Sequence, residues 1–111
     1  MAVPATTNHG LPEAVVQRIH TTMAAFPEIE QVTLYGSRAM GCHRPGSDID
    51  LTLSGVGLDG RTLARLDQAL DALLLPWRFD LSLKAELQSE ALLAHIDEVG
   101  QVFYQRHASP G

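Results

Sequence analysis

Asp48 and Asp50 stand two positions apart in the run Asp-Ile-Asp-Leu-Thr-Leu-Ser, residues 48–54, where polar and apolar side chains alternate. A period of two is the pattern of a half-buried strand. Ile49, Leu51 and Leu53 are therefore expected on a helix-covered face and both carboxylates on the other, roughly 6.6 Å apart along the chain. A second alternating run, Arg78 to Lys84, turns Phe79, Leu81 and Leu83 to the core and Asp80 away from it. If the two strands are neighbours, three carboxylates share one face. Anions at such range repel unless one is protonated or a divalent cation neutralises them. An all-oxygen donor set favours Mg2+, or Mn2+, over zinc, and Mg2+ typically completes its shell with water and substrate phosphates.

A seat for phosphates lies just upstream. The β-branched and aromatic run Gln31 to Tyr35 stops at Gly36, and Ser37 is expected to N-cap a short helical turn over Arg38, Ala39 and Met40. Glycine lets a ligand approach the backbone, amide groups at a helix start bind anions, and Ser37 adds a hydroxyl. Arg38 suits a phosphate or one of the aspartates equally. Ser47, in the turn-forming stretch Arg44-Pro45-Gly46-Ser47, suits turn bonding or ligand contact equally. A phosphate grip beside a metal site is the equipment of phosphoryl or nucleotidyl transfer, where catalysis is mostly positioning and charge neutralisation.

The elements that must hold these groups follow from spacing. Leu11, Val15, Ile19, Met23 and Phe26 recur at helical intervals, with Pro12 in the first turn and Pro27 closing the segment. Leu63, Leu66, Leu70, Leu73 and Leu74 mark a second helix closed by Pro76. A third runs from about Leu87 to Val99, stops at Gly100 and is followed by the apolar tail Val102, Phe103 and Tyr104. Met1 to Gly10 and Arg106 to Gly111 read as loose ends. The expectation is a mixed α/β fold with a three- or four-stranded sheet and helices packed mainly on one face. With 111 residues and 45% hydrophobic composition the chain suits a single domain, residues 1–111 with a core of about 11–105.

Composition narrows the function. A net charge of −5 argues against direct nucleic-acid binding. A lone cysteine, Cys42, excludes an intramolecular disulfide. The N-terminus lacks the marks of a signal peptide, and no apolar run reaches the length of a membrane span, so a cytoplasmic protein is expected. Cys42, His43, His20 and His95 show no metal-ligand spacing and are read as structural, as are Tyr35 and Trp77. Lys84 lies on the Asp80 face if its strand stays regular.

Gly36-Ser37, ten residues, then Asp48-Ile49-Asp50 has the form G-S-x10-D-x-D. With Phe79-Asp80-Leu81 and the tail Ile96 to Tyr104, this resembles the DNA polymerase β nucleotidyltransferase superfamily. More narrowly, it resembles the minimal nucleotidyltransferase (MNT) antitoxins paired with HEPN toxins. The resemblance spans about residues 11–105 and implies the small nucleotidyltransferase fold. It also implies two Mg2+ ions on Asp48, Asp50 and Asp80, and a nucleoside triphosphate held by Gly36 and Ser37, with Arg38 and Ser47 as further candidates. Asp80 would help deprotonate an acceptor hydroxyl. The activity so implied is AMP transfer from ATP to a hydroxyl, a tyrosine of a HEPN RNase toxin in related modules. Met40 departs from relatives that often carry a basic residue there. Two other readings compete. One is a non-catalytic antitoxin that works by covering its partner. The other is a dinucleotide-binding module, since Gly55-Val56-Gly57-Leu58-Asp59-Gly60 is a literal G-x-G-x-x-G with Asp80 about 20 residues on.

Overall fold

In the computed structural model, which describes residues 10–106, helix α1 (Glu13–Ala24) leads into strand β1 (Gln31–Tyr35) and the four-residue helix α2 (Ser37–Met40). Strand β2 (Ile49–Ser54), helix α3 (Gly60–Asp71) and strand β3 (Phe79–Leu83) follow, then helix α4 (Glu90–Val99) and strand β4 (Gln101–Gln105). The stretches expected to be loose, Gly10 and Arg106 apart, lie outside the described residues. The strands form one sheet in the order β3-β2-β1-β4. β1 is antiparallel to β2 and to β4, whereas β2 and β3 are parallel. Parallel neighbours need a long crossover, and α3 supplies it.

Alternation sets the two faces as expected. Val32 and Leu34 of β1 and Ile49, Leu51 and Leu53 of β2 are buried with Ile19 and Met23 of α1 and Leu66 and Leu70 of α3. Each such side chain contributes about 2 kcal/mol on leaving water. The other face carries Tyr35, Asp50 and Asp80 in one row and Thr33, Thr52 and Ser82 in the next. Helix α4 lies on this second face at its β1 side: the His95 ring meets the Tyr35 ring edge-on, and a Cβ at Gly100 would touch Thr33. Helices thus cover one face with α1 and α3 and only part of the other with α4.

Element ends differ from the expectations where caps override apolar spacing. The second helix is displaced towards the N-terminus, because the Asp59 carboxylate accepts the Thr62 amide at 2.9 Å and starts the helix at Gly60. Leu74 is not part of its buried stripe, having φ 56° and 89% exposure. The last helix starts at Glu90, capped by Ser89 accepting the Leu92 amide at 3.2 Å, since Lys84–Glu86 form a separate 3-10 turn. The tail becomes β4. A bulge opposite Val32 and Thr33 interrupts its register, and Phe103 is buried.

Candidate active site

The parallel register sets Asp50 directly beside Asp80, and the antiparallel one sets Tyr35 on the other side of Asp50. Directly paired residues share a face, so the two carboxylates meet as the alternation predicts. Asp48 lies one residue before β2 instead of within it, and is exposed. The proton affinity of Asp50 is raised, chiefly by burial, then by the charges of Asp80 and Asp48, with His95 and Arg38 pulling the other way. Asp50 thus feels the charges of both other aspartates, a repulsion that a divalent cation would relieve. Yet among the described residues no three His, Cys, Asp or Glu side chains gather round a common point. The donor set still fits Mg2+, which needs only one or two carboxylates once phosphates and water complete its shell.

Beside Asp50 runs the β1–α2 turn. Gly36 has φ 77° and ψ −157°, a conformation open to glycine almost alone. A Cβ there would lie 2.2 Å from Asp50 Oδ2, so what approaches this backbone is the protein's own carboxylate. Gly36 is also the N-cap: the helix begins at Ser37 itself, contrary to the expectation that Ser37 caps it, and no side chain caps the turn. The Met40 amide donates to Gly36 O at 3.1 Å and the Cys42 amide to Ser37 O at 3.0 Å, closing α2 on Gly41 in the left-handed region.

Arg38 is 1% exposed. Its Nε and Nη2 donate to the Ser47 carbonyl at 3.2 and 2.9 Å, and its guanidinium lies 5.8 Å from the centre of the Trp77 ring. Burial lowers its proton affinity, with Asp50 opposing. Ser47 Oγ accepts the Arg44 amide at 2.8 Å, closing the turn ahead of the aspartates. Arg38 and Ser47 thus tie α2 to the entry of β2. Trp77 is a packing residue as expected, half-buried with Nε1 donating to Pro45 O at 3.1 Å.

Two residues read as structural turn out to face the site. Tyr35 stands in the row of Asp50 and Asp80, its phenol made a weaker acid chiefly by burial. His95 Nε2 accepts the Gly36 amide at 3.1 Å. No local signal marks His95, because 59 residues separate the partners; Tyr35 was legible as the strand residue in phase with Thr33 and Gln31. Lys84 does not join the Asp80 face, since β3 ends at Leu83 and Lys84 opens the 3-10 turn. His20 bonds the Phe103 carbonyl, and Cys42 is exposed. The glycines of Gly55 to Gly60 do not take dinucleotide roles. Gly55 packs against the Glu28 carbonyl, and a Cβ at Gly60 would meet nothing, so no close helix–strand contact depends on it. No helix of the described residues is long and apolar enough to cross a membrane.

Comparison with known proteins bears on the family and the fold. The sequence matches the family described as Polymerase beta, Nucleotidyltransferase over residues 17–109. No curated protein matches. Among solved structures, a chain of a toxin–antitoxin complex with AMP-PNP superposes at a TM-score of 0.66 and 22% identity, covering 82% of this chain and 73% of its own. A chain from the complex of tri-AMPylated Shewanella oneidensis HEPN toxin with MNT antitoxin gives 0.61 and 20%, covering 85% and 72%. A chain of the MntA–HepT complex gives 0.61 and 20%, covering 85% and 73%. At these identities the likeness is one of fold.

Proposed function

This chain belongs to the polymerase beta nucleotidyltransferase family, and on that footing we propose that it transfers AMP from ATP to a hydroxyl, a tyrosine of a HEPN toxin, acting as the antitoxin of the pair. The observation that carries the reading is the in-register pairing of Asp50 with Asp80, with Asp48 at the strand entry and the Gly36–Ser37 turn against Asp50. In this reading Asp48, Asp50 and Asp80 would hold two Mg2+ ions, and the Gly36–Ser37 turn would hold the triphosphate, Gly36 by its side-chain-free bend and Ser37 by its hydroxyl. Bound Mg2+ would neutralise the phosphates and make the acceptor hydroxyl more acidic. Asp80, exposed at the edge strand, faces the acceptor and helps take its proton. The hydroxyl oxygen bonds to the α-phosphorus as the bond to the bridging oxygen breaks, and pyrophosphate leaves. Arg38 and Ser47 hold the loop between turn and aspartates. Toxin–antitoxin complexes among the structural neighbours, one with AMP-PNP and one with an AMPylated HEPN toxin, support the choice of donor and partner.

The test is incubation with Mg2+, host extract and ATP labelled on the α-phosphate. A labelled protein band that Asp48→Asn abolishes is the expected result. No band, with the partner still captured by the protein, would replace catalysis with inhibition by covering. A second expectation separates roles: Asp80→Asn should cut transfer at least 100-fold and nucleotide affinity by less than tenfold. Equal losses in both would remove the acceptor-side role of Asp80.

A further inference from the structure

The turn against Asp50 is held from outside its own segment. Gly36 lies in a backbone region that glycine enters freely and other residues only at about 1–3 kcal/mol, and glycine's own freedom does nothing to keep it there. On the carbonyl side the fixing bond is local, from the Met40 amide. On the amide side it comes from α4, where His95 Nε2 accepts the Gly36 N–H at 3.1 Å. An accepting Nε2 places the ring proton on Nδ1. The same ring meets Tyr35 edge-on at 6.2 Å, and Tyr35 is the strand partner of Asp50. Ser89 caps the helix that carries His95, its side chain accepting the Leu92 amide.

Resting on the nucleotide reading above, we propose that His95 is a positioning residue of the site, holding the Gly36 amide so that the turn stays seated against the Asp50 carboxylate. Two consequences follow. The Gly36 N–H is committed to His95, so phosphate contacts on this turn fall to groups after Gly36. Removing the acceptor leaves a half-buried amide unsatisfied at the point where the turn is least able to hold its shape unaided.

The test uses the full chain, with a non-hydrolysable ATP analogue and Mg2+ as probe. Amide hydrogen exchange is read at Gly36 and, as a check on folding, at Val32 and Leu51. His95→Leu keeps bulk without an acceptor, and His95→Gln restores one. His95→Leu should lose Gly36 protection, keep Val32 and Leu51 protected, and bind the analogue about tenfold more weakly. His95→Gln should return both towards wild type. Should Leu unsettle the core, His95→Asn, polar but too short to reach Gly36, takes its place with the same expectation. Unchanged Gly36 protection, or unchanged affinity in a wild type that binds the analogue, overturns the proposal alone. A wild type that binds no analogue overturns the nucleotide reading and the positioning role with it.

Discussion

Two glycines flank α2 with nearly the same φ, 77° at Gly36 and 76° at Gly41, yet their surroundings differ. A Cβ at Gly41 would meet nothing within 4 Å, whereas at Gly36 it would lie 2.2 Å from Asp50 Oδ2. Gly41→Ala should therefore cost about 1 kcal/mol of backbone strain and leave nucleotide affinity unchanged. Gly36→Ala should cost about 1–3 kcal/mol and also displace the carboxylate, weakening Mg2+-ATP binding at least tenfold. Urea unfolding and nucleotide titration of the pair check both halves, and equal affinities would show that the Gly36–Asp50 contact is irrelevant to the site. The spacing of glycine, serine and aspartates was legible in sequence because strand alternation fixes facing. The reason for Gly36 was not, since it depends on a carboxylate 14 positions on and an imidazole 59 positions on.

Elements were read well where periodicity alone decides and less well where caps do. Both aspartate strands follow from alternation, and their parallel pairing needed only that the intervening helix be a crossover. The limits of α3 were missed because Asp59, inside the glycine-rich stretch, outcompetes the leucine spacing that runs on to Leu74. The chain leaves α3 through Ala72 and two tight turns, the Leu74 amide donating to Asp71 O at 3.1 Å. Leu74 then takes φ 56° with its side chain exposed. A left-handed leucine in solvent has strain and no compensating burial. Leu74→Gly should raise stability by about 1 kcal/mol, and Leu74→Asn by less, with no effect on nucleotide binding. Chemical denaturation decides this, and a destabilised Leu74→Gly would mean that Leu74 packs in the folded chain.

At the scale of the molecule, one sheet face serves stability and the other works against it. α1 and α3 seal the apolar face, while α4 covers only the Tyr35 end of the polar one and leaves the Asp50 carboxylate under the repulsion of Asp80 and Asp48. Sequence alone placed α4 no further than as a helix, since which face it takes depends on the Gly100 junction and the pairing of β4 with β1. The folded chain binds a proton at Asp50 more tightly than the usual 3.8 implies. Above that raised value the ionised carboxylate disfavours the fold, and the penalty fades as pH falls through it. Asp50→Asn should therefore melt higher than wild type near pH 7, and the gap should shrink as the pH falls through the acid range. Mg2+ with ATP should narrow the gap from the other side, by stabilising wild type and not the variant. A variant that melts lower at neutral pH would mean that the Asp50 carboxylate is satisfied by the protein itself, with no cation needed to balance the cluster.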